Sequence, residues 1–193
     1  MRRLAKTLFG GIAAASLPLL LASPAMSQAL VLDELRAGVF AHNAYVGFVP
    51  TSTNFDFSRI ENVKFSALFA SPEIDAFTWI GSPRIEMGGT FNLAGRRENF
   101  VHANLNWQIG LFETPLYLEL GFGASLTDGA LSGATAPARN FGCPLNFYES
   151  FGIGAHLSET VTATLVYEHI SNLGICTPND GISHVGVQVG FKF

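Results

Sequence analysis

A histidine and a serine in the second half of the sequence, His169 and Ser171, are separated by one residue. An imidazole can take the hydroxyl proton of a serine and so turn that serine into a nucleophile for acyl transfer. Residues two positions apart in a β-strand lie on the same face and are neighbours in space. The pair therefore predicts serine-nucleophile chemistry, provided that a strand carries it.

A carboxylate is predicted beside this pair. Residues 142–156 and 160–172 read as two strands joined by a tight turn, and the centre of that hairpin places His169 opposite residue 147 or 149. Cross-strand partners share a face of the sheet. We therefore expect Glu149 next to His169, and we interpret Glu149, His169 and Ser171 as one catalytic set.

The strands that must position these residues are best defined at the end of the chain. From Val185 to Phe193, valine and phenylalanine alternate with glycine, glutamine and lysine in strict period two. One apolar face and one small or polar face suit a barrel wall with lipid outside and a polar interior. A final strand that ends on an aromatic residue resembles the C-terminal signal of bacterial outer-membrane barrels.

Seven further segments carry a similar pattern, and turn-forming residues separate most of them. The predicted strands are 33–46, 56–69, 82–93, 98–111, 115–127, 142–156, 160–172 and 181–193. The sequence thus predicts an all-β fold, an eight-stranded antiparallel transmembrane β-barrel of the bacterial outer membrane. The stretch 70–82, which two prolines bracket, has no assigned structure. A soluble periplasmic barrel or sandwich is the alternative.

Composition agrees with a membrane barrel. The 193 residues are 48% hydrophobic and only 13% charged, which argues against intrinsic disorder. The sequence beyond residue 30 has no long apolar run, which argues against a bundle of membrane-spanning helices. A net charge of −4 argues against a nucleic-acid partner. No spacing of metal ligands is present, so we expect neither a metal nor another cofactor.

The first residues resemble a secretory signal peptide. Basic residues precede an apolar stretch from Leu8 to Ala22, and small residues follow it. We predict cleavage after Ser27, with Ala29 as the second choice, which makes 1–27 the signal peptide and 28–193 the barrel domain. The alternative is that this segment is a membrane anchor, for which its apolar run is short. With both termini in the periplasm, Cys143 and Cys176 fall at the outer end of the barrel, where they can form a disulfide or stay as two thiols.

The segment His169-Ile-Ser171-Asn172, followed by Pro178-Asn-Asp-Gly181 and a last strand, resembles the PagL-type lipid A 3-O-deacylases, in particular the subset known as acyloxyacyl hydrolases. The resemblance implies an eight-stranded outer-membrane esterase that acts on lipid A, or lipopolysaccharide, in the outer leaflet. By position it makes His169 the general base, Ser171 the nucleophile, and Asn172 with the backbone N–H of Gly174 the oxyanion hole. It is also compatible with a homodimer.

One position departs from the family pattern. The acidic member of the family's triad lies twelve residues after the serine, and here that position is Ser183. Three readings stay open: Glu149 replaces the acid, which we favour; Asp180 replaces it from the loop; or the triad is incomplete and activity is weak or absent. In the last case the chain is a non-catalytic structural barrel, and the polar residues of the set form a fringe at the membrane interface.

Three arginines in predicted outer loops are candidates for contact with the phosphates of lipid A. Arg96, Arg97 and Arg139 can each form charge-assisted hydrogen bonds with a phosphate. The alternative is that they are ordinary solvated loop charges. His184 and Glu168 fall on the inward row by parity, and we predict structural roles for them inside the barrel.

Overall fold

A computed structural model describes residues 30–47, 49, 51 and 53–193. Eight antiparallel strands form a closed barrel in which each strand pairs with its neighbours in sequence and β1 pairs with β8. The strands are β1 (Leu32–Ala41), β2 (Ile60–Phe69), β3 (Arg84–Asn92), β4 (Phe100–Gly110), β5 (Leu116–Thr127), β6 (Leu145–His156), β7 (Val161–Ser171) and β8 (Ile182–Lys192). The predicted eight-stranded barrel is confirmed, and the predicted signal peptide 1–27 lies outside the described residues.

All eight predicted strands are longer than the observed ones, and three of them extend too far by three or more residues at one end. β1 ends at Ala41 rather than at 46, because Asn43 adopts a positive φ of 48° that an extended strand does not allow. β2 begins at Ile60 rather than at 56. β6 begins at Leu145, after Gly142 at a φ of 70° and Pro144, which has no N–H to offer a ladder.

The unassigned stretch between β2 and β3 contains a short helix, α1 (Asp75–Trp79). Trp79 at its end is 89% exposed, and the indole Nε1 of Trp107 donates to the carbonyl of Ile80 at 2.8 Å. Such aromatic residues are typical of the interface between membrane and water. Across the described part of the chain, no helix combines the length and the hydropathy needed to span a membrane.

The two faces of the barrel wall differ in chemistry. Outward side chains are mostly apolar and exposed; on β8, for example, Val187, Val189 and Phe191 are each about half exposed. Inward side chains are mostly polar and buried. This is the distribution that a barrel in lipid requires.

Buried ion pairs occupy the interior of the barrel. Lys64 is fully buried and contacts Glu168 at 3.0 Å and the hydroxyl of Tyr148 at 2.7 Å. Nearer the other end, Arg36 makes two hydrogen bonds of 2.8 and 2.7 Å with Glu119. The inward position predicted for Glu168 is confirmed, and His184 also lies inside, stacked on Phe100 with 5.7 Å between ring centroids.

The connections at the two ends of the barrel differ in length. We call the end that carries loops 42–59, 93–99, 128–144 and 172–181 the loop end. Loop 42–59 folds back over the outer face of the wall, where Tyr45 packs against Tyr167 and Phe55. For this reason Val185, which the period-two pattern places towards lipid, is only 8% exposed.

Candidate active site

His169 and Ser171 lie at the loop end of β7, on the outward face. Both are nevertheless buried, at 6% and 7% exposure. Two segments of the chain contact this part of β7: loop 42–59 beside it and the residues that lead into β8 above it. The pair therefore lies on the lipid-facing row, but beneath loop residues that shield it.

The register of β6 against β7 places Glu149 opposite His169. The hairpin geometry predicted from the sequence is therefore correct. Glu149 is 3% exposed, and its Oε2 is a buried atom without a hydrogen-bond partner among the residues that the structure describes. An unpaired carboxylate oxygen is costly to bury, so a group with this environment is a candidate for a functional role.

Ser183 of β8 lies on the other side of His169. The two residues are register partners, and Nδ1 of His169 is 2.8 Å from the hydroxyl of Ser183. The position where the family resemblance places a carboxylate thus carries a hydroxyl, and this hydroxyl meets Nδ1 of His169. Sequence reasoning missed this contact because it looked for a charge at this position.

Gly181 lies close to both the histidine and the serine. A Cβ built on this glycine would lie 3.0 Å from Cε1 of His169 and 3.2 Å from Cβ of Ser171. The φ of Gly181 is +58°, which L side chains rarely adopt. The glycine therefore lets the chain turn into β8 in direct contact with both side chains.

Asn172 organises the loop after Ser171. Its Oδ1 accepts from the backbone N–H groups of Gly174 and Cys176 at 2.9 and 3.2 Å, and its Nδ2 donates to the carbonyl of Phe141 at 2.6 Å. One hydrogen of Nδ2 has no partner in these bonds, whereas the N–H of Gly174 is used within the loop. The disulfide between Cys143 and Cys176 ties this loop to loop 128–144.

The three arginines come together at the loop end. Arg96, Arg97 and Arg139 line one cleft of about 380 Å³, together with Glu98 and Asp128. Side chains around the cleft hold two of them: Arg96 donates to Glu61 at 2.7 Å, and Arg139 donates to Asn43 at 3.0 Å. Arg97 is exposed.

Glu98 is the carboxylate that anchors this cleft. Its Oε2 is 2.7 Å from Nε2 of His42, and its Oε1 accepts from the backbone N–H of Arg139 at 2.6 Å. Burial by itself would raise the pKa of Glu98, but these hydrogen bonds outweigh it and hold the pKa below its usual range.

An apolar groove on the outer wall begins beside Glu149. It has a volume of about 420 Å³, and Trp107, Ile109, Leu120, Phe122 and Phe151 line it. Glu149 lies at the end of the groove nearest to His169, its register partner, and most of the other lining residues lie farther from the loop end along β4, β5 and β6. Among the residues that the structure describes, no three or more His, Cys, Asp or Glu side chains form a group that could hold a metal ion.

Known proteins resemble this chain in sequence and in fold. The family described as lipid A 3-O-deacylase (PagL) matches residues 68–192. The crystal structure of the outer membrane enzyme PagL superimposes with a TM-score of 0.55 at 16% identity, covering 83% of this chain and 99% of that chain. The N-terminal β-barrel domain of Pseudomonas aeruginosa OprF matches with a TM-score of 0.50 at 11% identity, covering 85% of this chain and 98% of that one. A comparison with curated protein sequences gives no match.

Proposed function

Since the chain belongs to the lipid A 3-O-deacylase (PagL) family, we propose that it is an outer-membrane serine esterase that removes an ester-linked acyl chain from lipid A. The observation that carries this proposal is the placement of His169, Ser171 and Glu149. All three lie on the lipid-facing side of the wall, at the loop end, within two adjacent strands. A site in this place suits a substrate that never leaves the membrane.

The chemistry is acyl transfer in two steps. Oγ of Ser171 attacks the ester carbonyl carbon while its proton passes to Nε2 of His169. The tetrahedral intermediate then collapses: the carbon–oxygen bond to the sugar breaks, and His169 returns the proton to the departing oxygen. Water attacks the acyl-serine in the same way, which releases the fatty acid and restores the Ser171 hydroxyl.

The oxyanion of each tetrahedral intermediate needs hydrogen-bond donors. Asn172 can offer the second hydrogen of its Nδ2. The N–H of Gly174 can join it only if its 2.9 Å bond to Asn172 Oδ1 is exchanged for one to the substrate. Asn172 and Gly174 therefore keep the roles that the resemblance implies. The oxyanion hole is complete only when substrate is bound.

Glu149 supports His169 from the opposite strand. When His169 takes up a proton it becomes a cation, and a carboxylate held beside it in an apolar wall stabilises that cation. The groove that starts at Glu149 is apolar along its length, so it fits an acyl chain.

The arginine cleft is proposed to bind the phosphates of the same lipid. Three guanidinium groups in one cleft at the loop end provide the planar, forked donors that phosphates prefer. A signal peptide that is cleaved after Ser27 is part of the same proposal, since such a segment directs the chain to the periplasm. The homodimer stays a prediction.

The alternative function is a non-catalytic outer-membrane barrel. The observation that favours it is Ser183, since no carboxylate stands where the family pattern has one. In a serine protease, loss of the orienting acid costs about 10⁴ in kcat. An inactive family member would still fold as a barrel but would not hydrolyse lipid A.

Mass spectrometry of lipid A from cells that express the protein separates the two. Wild type is expected to remove one acyl chain, and Ser171→Ala to remove none. Ser132→Ala, in an exposed loop, is the matched control and should behave as wild type. Heat-dependent migration in detergent gels shows that each variant is folded in the outer membrane. Unchanged lipid A with a folded wild-type barrel would favour the non-catalytic alternative.

A further inference from the structure

His169 has two ring nitrogens, and Nε2 is the one expected to transfer the proton. The other, Nδ1, is bound by a hydroxyl. Nδ1 lies 2.8 Å from Oγ of Ser183, and both residues are almost fully buried. In a serine esterase this is the nitrogen that an orienting acid holds, so that Nε2 stays free to accept the nucleophile's proton.

Ser183 is itself held by two groups. Its Oγ donates to the carbonyl of Gly47 at 3.0 Å, and the hydroxyl of Tyr167 lies 2.8 Å from the same Oγ. The Tyr167 hydroxyl also contacts the Gly47 carbonyl directly. Gly47 belongs to loop 42–59, whose Tyr45 packs edge-on against Tyr167. The loop that covers the outer wall thus reaches the histidine through a chain of hydrogen bonds.

The direction of these bonds follows from the chemistry of the last acceptor. A backbone carbonyl can only accept, so it draws the hydrogen of Ser183 towards itself. The lone pairs of Oγ then face Nδ1, which must carry the hydrogen. That leaves Nε2 of His169 unprotonated and able to act as a base.

We propose that Ser183, held by Tyr167 and the carbonyl of Gly47, is the positioning residue that fixes the tautomer of His169 in place of a triad carboxylate. This inference rests on the proposed function and deepens it: an uncharged hydroxyl accepts the hydrogen bond from Nδ1, where a triad would have a carboxylate. Glu149 then acts through its charge beside the ring, and not through a bond to Nδ1, because that nitrogen is already occupied.

The tautomer can be read without any activity. Nitrogen-15 spectra of the histidine-labelled barrel in detergent micelles show which ring nitrogen carries the hydrogen, and His169→Asn identifies the signal of His169. At a pH where the ring is neutral, wild type should carry it on Nδ1. Ser183→Ala should move it to Nε2, and Ser183→Thr, which keeps the hydroxyl, should return it. If wild-type His169 carries its hydrogen on Nε2, Ser183 does not fix the tautomer as proposed, whatever the activity.

Kinetics on purified barrels provide the second arm. Ser183→Ala should lower kcat by about 10²-fold, at the lower end of what a positioned general base contributes, with little change in KM. Tyr167→Phe should lower kcat less, because Ser183 keeps Gly47, and the double variant should be no worse than Ser183→Ala alone. If Ser183→Ala keeps full kcat while Glu149→Gln loses it, the charge of Glu149 orients the base and the role proposed for Ser183 is wrong. Hydrolysis by wild type but not by Ser171→Ala tests the proposed function separately.

Discussion

Gly181 is in contact with both His169 and Ser171, so a single methyl group at this position tests whether their geometry matters. Gly181→Ala would place a Cβ 3.0 Å from Cε1 of His169, 3.0 Å from the carbonyl oxygen of Ile170 and 3.2 Å from Cβ of Ser171. Each distance is shorter than an ordinary carbon–carbon or carbon–oxygen contact. The Ile170 and Ser171 atoms are fixed in the barrel wall, so the His169 ring or the incoming chain must move.

The magnitude has two parts. The φ of +58° costs any L residue about 1–2 kcal/mol, and this part acts on stability alone. Displacement of His169 or of the chain by a few tenths of an ångström acts on catalysis, because a misplacement of about 1 Å can cost roughly 10²-fold in rate. We therefore expect Gly181→Ala to lower kcat by about 10-fold or more.

Gly133→Ala is the matched control. Gly133 also has a positive φ, +76°, but a Cβ there meets nothing within 4 Å. It should lose about the same 1–2 kcal/mol of stability and keep its activity. The assays are urea unfolding of the barrel in micelles and the rate of fatty-acid release from lipid A. Equal rates for the two variants would refute the inference that Gly181 holds the base and the nucleophile in register.

Three further predictions concern the rest of the barrel. Lys64→Met should destabilise the fold by about 3–5 kcal/mol, because it leaves buried carboxylates unpaired; a shift in urea unfolding below about 1 kcal/mol would contradict this. The pKa of Glu98 is lowered in spite of burial, by hydrogen bonds from His42 and a loop amide. Its stabilising effect is therefore complete above the unfolded pKa of about 4.3 and is lost as the pH falls through the lower folded value. In Glu98→Gln, the free energy of unfolding should no longer show this decrease at acid pH. If the variant and wild type have the same pH dependence, the contact between Glu98 and His42 does not contribute to stability. Replacing Cys143 and Cys176, which are 33 residues apart, by serine should cost about 3–4 kcal/mol, measured as the difference from wild type under non-reducing conditions; wild type treated with reductant should match the variant.

The alternation of apolar and polar residues was enough to predict the wall of this barrel. A strand has a side-chain period of two, so each strand's sequence states which row meets lipid and which meets the interior. The short turn between β6 and β7 leaves little freedom of register, which is why the sequence limits the partner of His169 to residue 147 or 149, and the structure has Glu149 there. Local pattern and local chain connectivity suffice for such features.

The environment of the site depended on segments that carry no such period. Loop 42–59 reaches across the outer face and brings the carbonyl of Gly47 to Ser183, although 136 residues separate the two. The same is true of the cleft in which Arg96, Arg97 and Arg139 meet, since two different loops, 93–99 and 128–144, contribute to it. The path of a loop is set by its packing against distant parts of the wall, and no spacing in its own sequence records that path.

The sequence by itself therefore determined the strand number, the inward and outward rows, and the neighbours of His169 within one hairpin. Only the tertiary structure decided which group meets Nδ1 of His169, because the Ser183 hydroxyl on the next strand is held there by the carbonyl of Gly47, from the loop that follows β1. A serine is uncharged and common, so its presence at this position does not indicate its role in the sequence. Its function follows from the groups that surround it, and barrel closure brings those groups together.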